Sequence, residues 1–587
     1  MNNLDIFLRL SWFFKQEKRA YIIGASMLIL VGLLAGIVPM IIARVIDEMT
    51  SGNLTYSALI FWVAVVVGIS LLQYAMRYVW RTNIFGTSAK LEKILRQRLF
   101  NHFTKMDSVF YQKYRTGDLM AHATNDLGSI RMVAGGGILT MVDSLTQGII
   151  TLFMMFWAVD WKLSLMVIIP LPVLAIAIRF IGKKMHFHFR RAQEAFSSLN
   201  DKVQESVTGI KVIKTFGEEE LDTIDFNKMT ANVVKKNQSV YFYDALFRPA
   251  IQTIMGICTV IGLFYGGFLV LEGQITVGLL VAFLNYITRM SWPMVAIGRL
   301  LNIIERGSAS YDRIMDILKE ESNILEAENP VTTPIDGDIQ FEIDSFTYPQ
   351  TSEVILKNVK FTLPQGNTLG VVGKTGSGKT SIFKLLMRDY DQYQGRISFN
   401  GIDMKAYSLD TLLGSIGYVP QDNFLFSTTV RDNIRFGNPS ASQETVEEVA
   451  RLTSVHEDII GFPEGYDTMV GERGVALSGG QKQRISMARA IINSPSLLIL
   501  DDSLSAVDAK TEEAILEGIK TNRQDKTTII SAHRISSVMH ADEIIVLDNG
   551  EIIERGTHYE LLEQNGWYKQ MYEKQQLEAL LEGGGEQ

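Results

Sequence analysis

Long uncharged stretches mark the first half of the chain, whereas the second half alternates short apolar stretches with polar ones. The segment Ala20–Ala43 carries no charge over 24 residues, which gives about 36 Å of helix at roughly 1.5 Å per residue and spans the hydrocarbon core of a bilayer. Five further uncharged stretches follow it: Met49–Met76, Ser144–Val159, Leu163–Ile178, Pro249–Leu271 and Gly273–Thr288. The pattern therefore predicts six transmembrane helices.

The two halves are separated by an acidic segment with two prolines, Glu320–Asp338, which predicts a linker. After it, stretches such as TLGVV, LLILD and TTIIS alternate with helical segments, as is typical of an α/β domain with a mainly parallel sheet. We therefore predict a multidomain chain, with an all-α six-helix transmembrane domain joined to an α/β domain. The expected boundaries are a transmembrane domain over 1–319, a linker over 320–337, the α/β domain over 338–578 and a flexible tail over 579–587.

The charges between the apolar stretches predict the orientation of the helices. The segment Arg77–Arg131 contains ten Lys or Arg and Arg179–Arg248 is again basic, whereas the short loops at Asp47, Asp160 and Glu272 are largely acidic. By the positive-inside rule both long loops and both termini are cytoplasmic. We expect helices two to five to continue about 25 Å past the membrane, from roughly 17 extra residues each.

Overall composition excludes several classes of function. The net charge is −8, so the chain as a whole offers no basic surface to nucleic acid. Its single cysteine, Cys258, excludes intrachain disulfides and cysteine-only metal clusters. We expect Cys258 to pack inside an apolar helix.

A glycine-rich motif, GKTGSGKT, lies between the predicted strand Thr368–Val372 and the predicted helix Ser381–Arg388. Glycines let the backbone wrap phosphates, Lys379 can reach the β- and γ-phosphates, and the Thr380 hydroxyl can bind Mg²⁺. The motif predicts a nucleotide site and makes the second half an α/β P-loop nucleotide-binding domain. Its expected ATP-binding residues are Gly373, Lys374, Thr375, Gly376, Ser377, Gly378, Lys379, Thr380 and Ser381.

Other residues occur where a γ-phosphate site needs them. Asp501 ends the apolar strand LLIL and is a candidate Mg²⁺ ligand. Tyr348 precedes Gly373 by 25 residues and can stack on adenine. Gln421 can contact Mg²⁺ or the attacking water, and His533 can contact the γ-phosphate. Each of these residues alone is weak evidence for a nucleotide site. Their order and spacing together make a chance occurrence implausible.

Together these motifs resemble those of an ATP-binding cassette (ABC) exporter half-transporter, in which six helices are fused to one nucleotide-binding domain. The resemblance covers essentially the whole chain and implies ATP and Mg²⁺ as cofactors. The matching motifs are the A-loop Tyr348, the Walker A run Gly373–Thr380, the Q-loop Gln421, the signature Leu477–Gln481, the Walker B Asp501, the D-loop Ser505–Asp508 and the switch His533.

The resemblance extends to the segments that connect the two domains. Phe110–Leu127 and Glu205–Glu220 resemble the two cytoplasmic loops with their coupling helices, around Arg115 and Phe216. Val470–Gly474, with the sequence VGERG, resembles the exporter-specific loop that contacts the membrane domain. These segments imply that closure of the nucleotide-binding domains drives the helices from inward-open to outward-open.

One residue departs from the family pattern. Where the family usually has a catalytic glutamate after the Walker B aspartate, this chain has Asp502. The missing methylene retracts the carboxylate by on the order of 1 Å, which can cost about 100-fold in rate. We therefore expect slow hydrolysis at a site whose catalytic residues are Asp502, His533 and Gln421. An alternative is that the backbone restores the reach and the protein is an ordinary homodimer.

The family arrangement converts this departure into a prediction about partners. It places each ATP between the Walker motifs of one chain and the signature of the other. This chain would supply Ser478, Gly479, Gly480 and Gln481 to a competent site in a different subunit that carries the glutamate. It would hold its own Mg²⁺ with Thr380, Gln421 and Asp501 in a degenerate site. That division resembles heterodimeric bacterial multidrug exporters.

The substrate is less readily predicted. Apolar drugs could meet the aromatic and Met-rich helices around Met154–Trp157 and Phe264–Phe268, although most such side chains pack or face lipid. Asp143 and Arg289 are better cavity candidates because charge at membrane depth is costly, and a cationic substrate attracted to Asp143 is one hypothesis. A lipid flippase would share every motif. A signalling sensor and a peptide exporter with its own protease are disfavoured, because we expect no receiver, kinase or protease segment beside these domains.

Overall fold

Six long helical segments of the first half are apolar enough to cross a membrane, which confirms the predicted number of spans. The structure is a computed structural model, and it describes residues 5–349, 351–471 and 477–583. The six segments are Lys18–Thr50, Tyr56–Phe103, Thr116–Val159, Trp161–Thr208, Glu219–Leu271 and Val277–Lys319.

The helices of this half, α1 to α14, have the bounds that follow. They are α1 Asp5–Arg9, α2 Ser11–Gln16, α3 Lys18–Thr50, α4 Tyr56–Phe103, α5 Ser108–Lys113, α6 Thr116–Ala121, α7 Leu127–Met132, α8 Ile138–Phe153, α9 Trp161–Ile168, α10 Leu171–Thr208, α11 Ile210–Phe216, α12 Glu219–Leu271, α13 Val277–Arg289 and α14 Ser291–Lys319. Three π-helical turns, His122–Asp126, Val133–Gly137 and Met154–Val159, lie within the third span.

The second span begins later than its uncharged stretch suggested. The stretch was expected from Met49, but α3 continues to Thr50 and α4 begins at Tyr56. Between them Gly52 adopts a φ of +71°, and the Thr55 side chain accepts a hydrogen bond from the Ala58 N–H and caps α4. An uncharged stretch alone cannot locate this turn, because turn and helix here are equally free of charge.

The helices extend well past their apolar stretches, as expected. The longest, α12, has 53 residues, or about 80 Å at roughly 1.5 Å per residue, against a hydrocarbon core of about 30 Å. It packs along α10. Elsewhere glycines permit close packing, since a Cβ at Gly278 of α13 would lie 2.0 Å from the Ala43 carbonyl oxygen of α3. Cys258 is buried inside α12, as predicted, and its thiol donates to the Val167 carbonyl at 3.3 Å.

The second half contains ten strands and nine helices among the described residues. The strands are β1 Ile339–Thr347, β2 Val354–Leu363, β3 Thr368–Gly373, β4 Tyr393–Phe399, β5 Ile402–Asp403, β6 Ile416–Val419, β7 Leu497–Asp501, β8 Thr527–Ser531, β9 Glu543–Asp548 and β10 Glu551–Gly556. The helices are α15 Lys379–Leu386, α16 Leu409–Gly414, α17 Val430–Arg435, α18 Gln443–Leu452, α19 His456–Ile460, α20 Gly479–Ile491, α21 Ala509–Asn522, α22 His558–Glu563 and α23 Trp567–Gly583.

The strands form two sheets. The larger has the order β10-β9-β3-β8-β7-β6 and is parallel except for β10, which confirms the predicted α/β class. Its central strands β7 and β8 are buried along their whole length, as strands covered on both faces must be. The sequence did not predict the second sheet, which is antiparallel with the order β2-β1-β4-β5.

By internal contacts the chain divides into two units. One comprises residues 1–104 and 116–320, and the other comprises residues 105–115 and 321–587. The short helix α5 thus belongs to the second unit, although the sequence assigned it to a loop of the transmembrane domain. The last helix, α23, continues to Gly583, through residues that the sequence assigned to a tail.

Parallel pairing brings the carboxyl ends of three strands to one edge of the large sheet. In the register, Val371 of β3 and Asp501 of β7 both pair with Ser531 of β8. The loops after β3, β7 and β8 therefore begin side by side, at the edge where open α/β sheets bind ligands.

Candidate functional site

The loop between β3 and α15 is shaped by its glycines. Gly373 has a φ of +149°, and a Cβ there would lie 2.1 Å from the Leu547 carbonyl oxygen. Gly376 and Gly378 also have positive φ, of +81° and +105°. These backbone angles are strained for any other residue and turn the loop into the start of α15. The first N–H groups of a helix have no intrahelical partner, which suits an anion.

Two polar side chains of this loop fit a phosphate group. Lys379 is buried, and its Nζ donates to the carbonyl oxygens of Gly373 at 2.8 Å and Lys374 at 3.0 Å. Burial lowers the pKa of Lys379, and the charges of Asp501 and Asp502 oppose that effect. The Ser377 hydroxyl is also buried and has no hydrogen-bond partner among the described residues. A phosphate oxygen would satisfy both groups.

The predicted Mg²⁺ ligand Asp501 lies at the end of β7. It is only 3% exposed, and burial raises the pKa of its carboxyl group. The Tyr418 hydroxyl donates to its Oδ2 at 3.5 Å. A divalent cation would favour the ionised carboxylate, so the buried carboxyl beside Lys379 and Thr380 fits the predicted metal.

Asp502 and Gln421, predicted from separate motifs, are in direct contact. The Gln421 Nε2 donates to Asp502 Oδ2 at 3.2 Å. The Asp502 backbone has a φ of +48°, and its N–H donates to the Ser531 carbonyl at 2.9 Å. A non-glycine residue with positive φ stores strain that the surrounding structure must hold in place. The constrained backbone therefore fixes the direction of the Asp502 side chain.

His533 follows β8 and is held through its backbone. The Gln575 side chain, on α23, donates to the His533 carbonyl and accepts from the Ile535 N–H, each at 2.8 Å. The imidazole itself is exposed. The sequence alone does not identify Gln575, because it is 42 residues from His533 and no local pattern distinguishes it from other polar residues of α23.

Tyr348 lies beside the start of α15. Its hydroxyl is hydrogen-bonded to the Ser381 hydroxyl at 2.8 Å, and its ring meets the edge of Phe346 and of Tyr390. The Lys384 ammonium lies 5.5 Å from the ring centroid. The structure therefore brings Tyr348 to the phosphate loop, and stacking on adenine stays a prediction.

The signature residues form the start of a different helix. Ser478 caps α20 through a capping box with Gln481, and the Gln481 side chain donates to Asp458 at 2.9 Å. Ser478 and Gly479 are exposed. Among the described residues, no hydrogen bond joins Ser478–Gln481 to Lys379, Asp501 or Asp502.

The D-loop links the signature helix to the end of β7. The Ser505 hydroxyl donates to the Asp502 carbonyl at 3.1 Å, and the Ala506 N–H donates to the Gln483 side chain at 3.1 Å. A Cβ at Gly480 would lie 2.8 Å from the Ala506 carbonyl oxygen, which explains the glycine. Gln483 is a second residue that the sequence alone does not identify.

The helix α5, from the first predicted coupling segment, is anchored to its unit by Asp107. One Asp107 oxygen caps α5 at the Phe110 N–H, and the other accepts from the backbone and side-chain N–H groups of Asn323 at 2.6 and 2.9 Å. Of the predicted VGERG loop, residues 472–474 lie outside the described part of the chain.

In the transmembrane unit, the two charges predicted at membrane depth differ in their surroundings. Asp143 accepts a hydrogen bond from the Trp292 indole at 2.8 Å and lines a cavity of about 790 Å³. Arg289 ends α13 and makes no ion pair with any described residue. The aromatic candidates lie elsewhere, since Trp157 and Phe264 are strongly exposed and Met155 is buried in the helix core.

Comparison with known proteins agrees with this geometry. Residues 21–294 match the family described as ABC transporter transmembrane region, and residues 356–505 match the ABC transporter family. The chain is 47% identical, over 99% of both chains, to a probable multidrug resistance ABC transporter ATP-binding/permease protein, YheI, of Bacillus subtilis. It is 43% identical, over 99% of both, to the multidrug resistance-like ATP-binding protein MdlA of Escherichia coli.

More distant relatives include a flippase and a protein of known structure. The chain is 31% identical to an ATP-dependent lipid A-core flippase of Photobacterium profundum, over 97% of this chain and 98% of the relative. It superimposes with a TM-score of 0.78 on a bacterial Atm1-family ABC exporter with ATP bound, at 25% identity, covering 95% of this chain and 99% of the other.

Proposed function

The chain belongs to the ABC transporter family, as an exporter with fused transmembrane and ATPase domains, and from this premise we propose that it is one subunit of a heterodimeric exporter of hydrophobic or amphipathic small molecules. In this proposal the chain carries one degenerate ATP site and completes a competent site on its partner. The observation that carries the proposal is Asp502, a shortened carboxylate beside an otherwise intact set of motifs.

The separation of the signature from the phosphate loop supports this division. Ser478 and Gly479 are exposed, and Lys379 is buried in a loop to which they make no hydrogen bond among the described residues. The signature is therefore free to contact a nucleotide held by another chain. The capping box satisfies the Gln481 N–H, and the other N–H groups at the start of this helix have no intrahelical partner, which suits a phosphate.

The residues of this chain perform distinct parts of the reaction. Lys379 and the loop N–H groups neutralise and position the ATP phosphates. Thr380, Asp501 and Gln421 would hold Mg²⁺, which supplies charge stabilisation to the transferred phosphoryl group. Asp502 and His533 orient the attacking water and the γ-phosphate, and the short Asp502 side chain slows this step.

Closure of two nucleotide-binding domains around ATP drives the transport cycle. A ligand shifts a conformational equilibrium only by its differential affinity for the two states, and ATP binds better where two domains enclose it. We infer that α5 and α11 pass this closure to the helices. The basic loops support a cytoplasmic position for α5, α11 and both termini of a plasma-membrane protein.

The test is to isolate the chain from its native membranes through an affinity tag and identify what accompanies it. We expect a second half-transporter with glutamate after its Walker B aspartate, and an ATPase rate in that assembly well above the rate of the chain alone. Rapid hydrolysis by the lone chain, unchanged by any partner, would favour a homodimer.

A lipid flippase is the second candidate. The similarity to a lipid A-core flippase favours it, and so do Arg77, Arg81 and Arg299, which line the same cavity as Asp143. ATPase activity that responds to lipid composition and not to hydrophobic drugs would support this alternative.

A further inference from the structure

We propose that the cavity among α3, α4, α8 and α14 binds an amphipathic anion, with its charged group at three arginines and its apolar part against aromatic side chains. The inference deepens the proposed export function by naming the substrate class. The cavity has a volume of about 790 Å³ and lies wholly within the transmembrane unit.

The charges that line the cavity are unbalanced. Arg77 and Arg81 of α4 and Arg299 of α14 line the cavity, and Asp143 of α8 is the only carboxylate among its described lining residues. The three guanidinium groups make no ion pair with any other described residue. Three positive charges against one negative charge leave the cavity with two positive charges in excess.

Asp143 does not offset these charges through a direct ion pair. Its Oδ2 accepts a hydrogen bond from the Trp292 indole at 2.8 Å, and its Oδ1 accepts one from Gln147 at 3.5 Å. Both donors are neutral, so they leave the carboxylate charge in place and hold its position. A cation that approached Asp143 would meet the arginines as well, which contradicts a simple cation site.

The position of the arginines matches the head of an amphiphile. Arg77 directly follows the uncharged stretch that ends at Met76, so it lies at the edge of the predicted hydrocarbon layer. At this edge a phosphate, sulfonate or carboxylate would pair with the guanidinium groups through charge-assisted hydrogen bonds.

The remainder of the cavity wall is suited to the apolar part. Leu28 and Val31 of α3, and Tyr74 and Trp80 of α4, line the same cavity as the arginines. Aromatic and aliphatic side chains bind hydrocarbon without requiring hydrogen bonds from it. The ligand class is therefore an anion with an apolar tail.

The experiment uses the assembly isolated through a tag on this chain, placed in nanodiscs of neutral phosphatidylcholine. The probe is dansylaminoundecanoic acid, and its uncharged methyl ester is the matched control ligand. We expect the acid to bind at least about tenfold more tightly than the ester, since one charge-assisted hydrogen bond is worth about tenfold in affinity. Equal binding of acid and ester would overturn the proposal.

Single substitutions locate the binding. We expect Arg77→Gln, Arg81→Gln and Arg299→Gln each to weaken binding of the acid by about tenfold. Binding of the ester should be unchanged. Arg248→Gln, an exposed arginine of the same unit outside the cavity, is the control and should have no effect. The matching Arg→Lys variants keep the charge and should retain most of the binding, which separates charge loss from misfolding.

We expect Asp143→Asn to change the affinity for the acid in the opposite direction. Removing the negative charge should strengthen binding of the acid, whereas a cation site would lose affinity for its ligand. Weaker binding of the acid in Asp143→Asn, in a variant that elutes as the intact assembly, would contradict the proposed charge balance.

The anion can come from the lipid or from solution, and a competition distinguishes the two. If a membrane lipid is the natural occupant, phosphatidylglycerol in the nanodisc should displace the acid, and the Arg77→Gln variant should lose that effect. If a free amphiphile is the occupant, phosphatidylglycerol should not compete. Either result is consistent with the anion site. Binding of the acid that is unchanged by all three Arg→Gln substitutions would overturn the proposal.

ATPase activity of the same samples separates this inference from the proposed function. Intact ATPase with no preference for the acid would overturn the cavity proposal alone. An assembly that binds the acid through the arginines but contains no second half-transporter would overturn the heterodimer proposal alone.

Discussion

Replacing Asp502 by glutamate tests the origin of the proposed asymmetry. The Asp502 backbone is held by its N–H bond to the Ser531 carbonyl at 2.9 Å and by a φ of +48°. Because this backbone cannot move forward without breaking that bond, the added methylene should advance the carboxylate by on the order of 1 Å. A displacement of that size changes a rate by about 100-fold, or about 2.7 kcal/mol of activation free energy.

The structure also indicates that the longer side chain can be accommodated. The partner of the Asp502 carboxylate is Gln421, at 3.2 Å, and Gln421 is exposed. It can shift as the carboxylate advances. We therefore expect Asp502→Glu to raise the ATPase rate of the lone chain by up to about 100-fold, with little change in nucleotide affinity.

The assay is steady-state phosphate release by the purified chain in lipid, alongside nucleotide binding measured separately. Asp502→Asn is the control, since it keeps the size and removes the charge, and it should fall below the wild-type rate. If Asp502→Glu leaves the rate unchanged while nucleotide binding is intact, the length of this side chain does not limit hydrolysis and the degenerate-site argument fails.

Four further predictions address other parts of the protein. Lys379→Ala should weaken ATP binding to the lone chain by at least about tenfold, because it removes a charge-assisted phosphate contact. Equilibrium binding of a fluorescent ATP analogue measures this, and unchanged affinity would contradict it. Ser478→Ala should cost about 1 kcal/mol of stability as a lost helix cap and lower ATPase in the assembly while ATP binding by the lone chain is kept. Gln575→Ala should remove two hydrogen bonds to the loop of His533, worth about 1–3 kcal/mol together, and lower turnover in the assembly more than nucleotide affinity; equal loss of both would indicate general unfolding. Burial lowers the pKa of His558, whose Nδ1 is 2.7 Å from the Tyr568 hydroxyl. The unfolded state therefore binds the proton more readily, and stability should fall as the pH drops below about 6.5. Thermal unfolding at pH 5 and 7 checks this, and His558→Gln should reduce the difference in stability between the two pH values.

Much of the fold could be predicted because its signals are local. Ala20–Ala43 indicates a transmembrane helix by composition alone, and GKTGSGKT indicates a phosphate loop because only glycine readily adopts the backbone angles at Gly373 and Gly378. The start of α4 was placed too early, because the Gly52 turn is uncharged like its neighbours. The antiparallel sheet was missed, because its pairing joins strands through contacts that no short segment encodes.

The sequence by itself determined the number of spans, the α/β class of the second half and the phosphate loop, since each depends on residues adjacent in the chain. Tertiary structure alone decided the contact of Gln421 with Asp502, the hold of Gln575 on the His533 loop, and the three arginines that share a cavity with Asp143. These features join residues far apart in sequence, and their energies depend on distance and burial, which only the folded chain sets. A lone Asp143 suggested a cation, whereas the cavity around it favours an anion.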